Sequence, residues 1–555
     1  MIVNFIYLLI VSLSSIGFGV MLLKKTNTTS EEFYNYGIFG IVGLFFLNLS
    51  SYTFSLISQI NSSINLLIIL LGVFFFILNF KKINIKFFYL YGLIFVLLFF
   101  AILIGKPHDD FHYYHFPYIY YLINSDFIFG IGHVNHGFRT PSSIFYLNAI
   151  LFNKFTGYGT FHFGAALYLL FANLYIIEKI KFYLGKNKNF IIFLISIFIF
   201  SNIFFYRIGE HGTDRSAQIL SLIFIFEIFI LFNLKKNINE RIKIMLILLG
   251  LIISLKAFYI LFFIFPIIII GHLFFSLKKN FHEIIKLTFL NFFFILFMIN
   301  FLLILCINFI NTGCFIYPVG ISCINDLPWS IGTAEADKMK NWYELWSKGG
   351  ATPNMRVSNP SEYLQQFNWV GNWFRIYFLN KVSDFILGLT LTFLIIFFTF
   401  KLNFKLSRYK FSALLICLVI LILEWFYNHP ALRYGGYSLF AAMFFVYLSS
   451  LSFNKHSNLK KFKTGINYMV ILALVVFLGR NINRVNKEVT QYNYNPLIEF
   501  NYSIINDDFR ISKQINHLKE SLYCKKINNE KYFCKKYELQ INNLTLNKLF
   551  ISRDD

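Results

Sequence analysis

The feature that most constrains this chain is a repeated one. Apolar stretches of about 16–24 residues recur along most of its length, and each is long enough to cross a hydrocarbon core of roughly 30 Å at about 1.5 Å per helical residue. They read as spans over 4–23, 36–56, 63–80, 87–105, 160–178, 189–206, 215–233, 243–255, 257–275, 287–309, 382–400, 411–427, 432–451 and 464–479. Residues 243–255 are short for a span, so whether 243–275 crosses once or twice is the open point of the count. Composition agrees: 57% of residues are hydrophobic and 14% charged, against about a quarter charged in soluble domains. The expected fold is an all-α polytopic membrane protein of about 14 transmembrane helices, with external loops and a small C-terminal extramembrane α/β or irregular domain. Backbone polar groups in a bilayer need internal partners, which a helix supplies. The lipid bilayer is therefore the first partner.

Basic residues orient the spans, because short cytoplasmic loops keep an excess of Lys and Arg. If the N-terminus is outside, the loops 24–35, 81–86, 179–188, 235–243, 278–286, 401–410 and 453–463 face the cytoplasm, and together they hold 24 basic residues. The short loops of the other side hold few: none in 57–62, then Arg207, Arg215, Lys256 and Arg433. The alternation breaks if 243–255 is not a span. The first span has no basic residue before it and Lys24-Lys25 after it, which fits a retained helix rather than a signal peptide. Both termini are then expected on the periplasmic side of a bacterial inner membrane. The net charge of +23 sits in short loops rather than on one face, so nucleic acid is not an expected partner. Six regions follow: four N-terminal spans (1–105), a first large external loop (106–159), central spans (160–309), a second large loop (310–381), C-terminal spans (382–479) and an external C-terminal region (480–555).

Cys306 and Cys417 fall inside spans. The other four cysteines form two externally placed pairs, Cys314/Cys323 and Cys524/Cys534. Each pair closes a loop of about ten residues, worth roughly 2–3 kcal/mol as a disulfide on the chain-entropy estimate. Oxidised pairs suit an oxidising compartment. Zinc, the alternative, usually shows tighter spacing and nearby histidines.

The densest chemistry opens the first loop, where the fourth span ends: Lys106-Pro107-His108-Asp109-Asp110-Phe111-His112-Tyr113-Tyr114-His115-Phe116-Pro117-Tyr118. A carboxylate at mid-bilayer costs about 2.5–3.5 kcal/mol on insertion scales, so an acidic pair at the rim is far easier to keep ionised. Asp109 or Asp110 there suits a general base, and His112 and His115 suit phosphate binding or a shared divalent metal. The bland alternative is a polar turn leading into an aromatic interfacial helix. An acidic pair at a span exit, followed by aromatics and a histidine, resembles the first external loop of GT-C-fold glycosyltransferases. That resemblance implies a polyprenyl-phosphate-linked sugar as donor, a loop carboxylate activating the acceptor hydroxyl, and that role for Asp109 or Asp110, with Asp110 preferred. The family usually has this loop after its first span, whereas three further spans precede it here. Together with Asn311-Thr-Gly-Cys-Phe-Ile-Tyr-Pro318 and His429-Pro-Ala-Leu-Arg-Tyr-Gly435, the loop also resembles a family of uncharacterised bacterial multi-pass proteins, which implies no activity.

Other external residues suit substrate binding. His133, His136 and Arg139 end the first loop, and Glu210-His211-Gly212-Thr213-Asp214-Arg215 joins two spans, where Thr213 or Asp214 equally suits a helix cap. Lys256 lies in a minimal turn. Arg433 follows His429-Pro430, and an arginine fork there suits a phosphate or lipid headgroups. Glu424, one turn inside, is placed to orient Arg433. Glu227, near mid-bilayer, needs a partner or a proton. Five of six tryptophans fall in the second loop, with Trp342/Trp346 and Trp369/Trp373 at i,i+4; the favoured reading is helices lying on the bilayer surface, and stacking on a sugar is the sharper one. No Walker loop, dinucleotide fingerprint or GxSxG elbow is present. The expected activity is transfer of a sugar from a polyprenyl-phosphate donor to a glycan, lipid or protein acceptor. Its alternatives are an O-antigen polymerase or ligase, which would make the second loop catalytic, and a flippase or transporter. No cofactor is called for with certainty; a divalent metal stays open.

Overall fold

Asparagine does much of the local work of starting helices. The side chains of Asn35, Asn61, Asn187, Asn280 and Asn291 each accept a backbone N–H from the turn that follows, satisfying donors that a helix start otherwise leaves open. The computed structural model describes residues 2–25, 31–79, 85–103, 108, 110–210, 212–352, 357–406, 409, 411–453, 459–493, 495–497, 531–534, 539–544 and 548–553. Helices α1 (Ile2–Lys25), α2 (Tyr36–Ile57), α3 (Ser62–Leu78) and α4 (Ile85–Ile102) lead to the first large loop, which carries a π-helical turn (Phe111–His115), α5 (Phe116–Asn124) and α6 (Ser143–Ile150). Then come α7 (Phe163–Tyr183), α8 (Lys188–Ile203), α9 (Gly212–Asn233), α10 (Ile238–Leu255), a helical run over 257–276 that contains α11 (Ile264–Gly271), α12 (Phe281–Thr288) and α13 (Phe292–Thr312). The second loop holds α14 (Thr333–Lys348) and α15 (Pro360–Leu364); α16 (Val370–Trp373) then continues through a π-helical stretch into α17 (Ser383–Thr399). The C-terminal part has α18 (Ser412–Asn428), a π turn (Leu432–Gly436), α19 (Tyr437–Ser450) and α20 (Leu459–Tyr492). Strands are few: β1 (Leu402–Leu406) pairs with β2 (Leu451–Phe453), and β3 (Lys531–Cys534), β4 (Leu539–Leu544) and β5 (Lys548–Arg553) form an antiparallel sheet in that order.

The protein is a polytopic helical membrane protein. Among the described residues, eight helical stretches are long and apolar enough to cross a membrane: 2–24, 36–57, 157–183, 212–233, 257–276, 292–312, 370–399 and 459–492. Shorter apolar helices occupy 62–78, 88–102, 188–203 and 412–428. Helices α7, α8 and α9 are buried on almost every side, which explains why their sequences are apolar all round rather than striped. The outer helices turn Leu67, Phe74, Ile295, Leu302, Leu387 and Val475 outward, side chains suited to contact with lipid.

The short stretch 243–255 is part of a real reversal. Arg241, near the start of α10, meets Glu227 of α9, whereas Lys256, just after its end, meets Asp214 at the other end of α9. The chain then runs back: Phe262 and Phe265 lie against Phe224, and His272 stacks on Phe232. Lys256 is the tip of a hairpin, in extended conformation between two helices.

The segments expected outside do share one end of the helix bundle. Arg139 of the first loop pairs with Glu335 of the second at 3.0 Å, and the N–H of Ile551 in β5 donates to Phe129 at 2.9 Å. Arg484, two turns before the end of α20, pairs with Glu210 between α8 and α9, and Tyr7 near the N-terminus lies beside Phe163. Cys314 and Cys323 form a disulfide of 2.06 Å. Cys524 lies outside the described residues, as does the side chain of Cys534 at the end of β3.

Candidate functional site

Four charged side chains from four distant segments meet at this end of the bundle. Asp214 sits in the first turn of α9, where a carboxylate complements the helix dipole, and is almost fully buried. Its Oδ1 receives Lys256 Nζ at 2.6 Å and its Oδ2 receives Arg433 Nε at 3.1 Å. Arg433 uses its other edge on the first loop, donating from Nη2 to Asp110 Oδ2 at 2.8 Å. The result is a chain of alternating sign, Asp110–Arg433–Asp214–Lys256, with no net charge.

The turn that carries Arg433 is held from several sides. Gly435 adopts φ of +89°, and the ring of Phe258 occupies the place a Cβ would take, 2.3 Å away; only glycine fits. The indole N–H groups of Trp373 and Trp425 donate to the carbonyls of Pro430 and Ala431, both at 2.9 Å, and Tyr377 accepts the N–H of Leu432 at 2.8 Å. Gln218, fully buried and one turn after Asp214 on α9, donates to the Arg433 carbonyl at 3.2 Å. Arg215 accompanies it, giving a hydrogen bond to Gln218 at 2.9 Å while its guanidinium lies between the rings of Phe205 and Tyr437. Above Arg433 lies the indole of Trp346, 5.7 Å away, and Tyr434 flanks both Arg433 and Lys256. Cationic groups against aromatic faces are stabilised and oriented.

Asp110 begins the π turn and is about a quarter exposed. Burial pushes its carboxyl up, but the positive charges of Arg433 and, less strongly, His115 and His108 outweigh that and hold it down at about 2. It is a carboxylate at neutral pH. His108 Nδ1 accepts the Asp110 N–H at 3.2 Å. Asp109 lies outside the described residues. Burial pushes His115 down to about 3, so its ring is neutral at pH 7; it packs against Tyr114 and Phe145, and its Nε2 finds no partner among the described residues. His112 is half-buried on the same turn. Burial likewise lowers His136 and His429; His136 lies by Tyr113, and His429 by Tyr434.

Other expected residues lie elsewhere. Arg139 is buried and fully engaged: it donates to Tyr317 at 2.8 Å, Glu335 at 3.0 Å and the Gly132 carbonyl at 3.1 Å, fastening the disulfide loop and α14 onto the first loop. Asn311 does similar work, donating to the Phe138 carbonyl at 2.9 Å and Tyr118 at 3.0 Å. Glu424 receives Asn428 at 3.0 Å rather than Arg433. Trp369 and Trp373 do not lie on a surface; both are buried, against Phe426 and each other. Glu227 has its partners, Lys179, Arg241 and Tyr175. Among the described residues, no three His, Cys, Asp or Glu side chains are grouped to hold a metal ion. Sequence reasoning missed Gln218 and Tyr434 as parts of the site, and favoured the bilayer surface over a site for Trp346. The spacing of Asp214 and Gln218, i and i+4 at the head of an apolar helix, was the available signal for the first.

Residues 1–441 match a family described as a domain of unknown function (DUF8201), and the chain belongs to that family. All four charged residues of the site fall inside the matched region. No curated protein and no solved structure matches the chain.

Proposed function

We propose that this member of the DUF8201 family is an integral membrane glycosyltransferase of GT-C type, which moves a sugar from a polyprenyl-phosphate donor to an acceptor hydroxyl. In this reading the chain crosses a bacterial inner membrane fourteen times and works at the periplasmic face, where both termini and both large loops lie. The observation that carries it is the pairing of Asp110 with Arg433, 323 residues apart in sequence, beside the second cation Lys256. A carboxylate that can take a proton and two cations that can receive a phosphate stand together where the helices leave the apolar zone.

Chemistry follows from the charge count. The four charges of the chain Asp110–Arg433–Asp214–Lys256 cancel, so an incoming phosphate adds negative charge and competes with a carboxylate for Arg433. Asp214 is held by both cations and almost fully buried, whereas among the described residues Asp110 is hydrogen-bonded to the one cation Arg433 and is a quarter exposed. Asp110 is therefore the group displaced. Once released, it loses the charge that depresses its pKa and keeps the burial that raises it, so its basicity grows as the donor binds. It then takes the acceptor hydroxyl proton; the oxygen attacks the anomeric carbon, and the bond from that carbon to the phosphate oxygen breaks. The electron pair leaves on the polyprenyl phosphate, whose charge Arg433 and Lys256 stabilise. A transport pathway is less well supported, since Glu227 is locked among fixed partners.

The test is sugar incorporation from a labelled polyprenyl-phosphate pool in membranes with matched protein levels. Asp110→Asn keeps size and removes the basic oxygen, and a general base contributes about 10²–10⁴-fold, so transfer should fall by that factor. Near-normal transfer by the Asp109→Asn/Asp110→Asn double variant overturns the reading.

A further inference from the structure

Of the six tryptophans only Trp342 is largely exposed, at 43%. It stands on the rim of the site rather than on a bare surface. Its neighbours are His136 and then Tyr113, with ring centroids 6.3 and 5.4 Å apart along the series. Tyr113 is itself 38% exposed and belongs to the π turn that Asp110 begins. Trp346, one turn further along α14, covers Arg433. The i,i+4 spacing puts both indoles on one side of α14, so that side runs from the Arg433 guanidinium out to an open aromatic shelf.

The shelf is built rather than incidental. Asn135 donates to the Tyr113 carbonyl at 3.0 Å and accepts the Gly137 N–H at 2.8 Å, fixing the turn that presents His136. Tyr113 and His136 are joined through the hydroxyl and Nδ1 at 3.3 Å. A lipid surface is a poor occupant. The apolar side of α14, Ala336, Met339 and Tyr343, is already spent on the disulfide loop, and exposed Lys338 shares the Trp342 side of the helix at i−4. An open aromatic platform edged by the Tyr113 hydroxyl and the His136 ring nitrogens suits a ligand with one apolar face and a polar edge. A pyranose is such a ligand: its axial C–H face stacks on a ring and its equatorial hydroxyls reach polar neighbours.

We infer that Trp342, with His136 and Tyr113, forms a saccharide-binding subsite that seats the acceptor glycan beside Asp110. The acceptor role rests on the transferase reading; saccharide binding itself does not, and the two are measured separately. The full-length protein in lipid nanodiscs is immobilised and exposed to oligosaccharides released by mild acid from envelopes of its own cells, and the retained glycans are counted by mass spectrometry. Wild type should retain them, Trp342→Ala should retain at least tenfold less, and Trp342→Phe should recover most of the retention, which excludes a folding failure. No retention by wild type, or equal retention by Trp342→Ala, overturns the inference. So does quenching of Trp342 fluorescence by brominated lipid, since the ring would then lie against the bilayer. If saccharide retention depends on Trp342 while transfer survives in Asp110→Asn, the subsite stands and the transferase mechanism fails.

Discussion

Glu227→Gln should be one of the most destabilising substitutions of similar size in this protein. Glu227 is fully buried and lies 3.4 Å from Lys179, in contact with Arg241 and the Tyr175 hydroxyl. Both cations also meet Glu32, Lys179 at 3.2 Å and Arg241 at 2.5 Å, and Glu32 receives Asn237 at 3.0 Å and the Tyr183 hydroxyl. Two acids and two bases thus cancel in a region sealed from water, and removing one carboxylate leaves a net positive charge there. Breaking a buried pair from one side costs about 3–5 kcal/mol, whereas replacing both members by neutral groups is often close to neutral. The Lys179→Met/Glu227→Gln double variant should therefore recover at least half of the loss. Equilibrium unfolding of the purified protein in mixed dodecylmaltoside and SDS micelles, followed by tryptophan fluorescence, gives the comparison. A single variant within about 1 kcal/mol of wild type, smaller than the cost of one broken buried pair, would refute the charge-balance reasoning, as would a double variant no more stable than the single.

Two further outcomes bear on the Asp110–Arg433 site and on topology. The Asp110 carboxyl is depressed to about 2 from an ordinary 3.8, so the stabilisation from its pairing is fully present above 3.8 and is lost as pH falls through about 2; an infrared carboxylate band absent from Asp110→Asn should persist down to pH 3, and its disappearance by pH 5 would contradict the geometry. Impermeant thiol labelling of single cysteines in intact cells should reach 57–62 and 310–381 and miss 179–188 and 401–410, and the reverse pattern would invert the proposed orientation.

What the sequence showed well was what depends on local pattern. The described residues of the apolar stretches are mostly helical, because length and composition leave a chain in lipid few other options. The Cys314/Cys323 pair was legible from its short separation, and Asp110 and Arg433 were legible singly, the first from the density of acids and histidines around it and the second as an arginine beside Pro430 and Gly435-Gly436. The tryptophan pairs were half legible. The i,i+4 spacing placed each pair on one helix side, but spacing does not say what that side meets. Trp369 and Trp373 meet α18 in the core, while Trp342 and Trp346 look onto the site.

Pairing across the chain was not legible, and the reason is geometric. Asp110, Asp214, Lys256 and Arg433 come from four different connections between helices, and their contacts depend on which helices are neighbours, which local pattern leaves undetermined. Yet each of these connections is short or tightly held, so its charged residue has little freedom once its helices are packed: Lys256 at a hairpin tip, Asp214 in a first helical turn, Arg433 on a turn pinned by two indoles and Gln218. The bundle therefore positions the charges more than the charges position the bundle. Helix α9 makes this concrete, since it carries Asp214 at one end and Glu227 thirteen residues on, about 20 Å away at 1.5 Å per residue. The inner cluster fixes where α9 stands among α7 and α10, and a fixed α9 presents Asp214 and Gln218 to the Arg433 turn. A neutral, dehydrated cluster towards one end of α9 is thus a plain physical means of holding a charged site in place at the other.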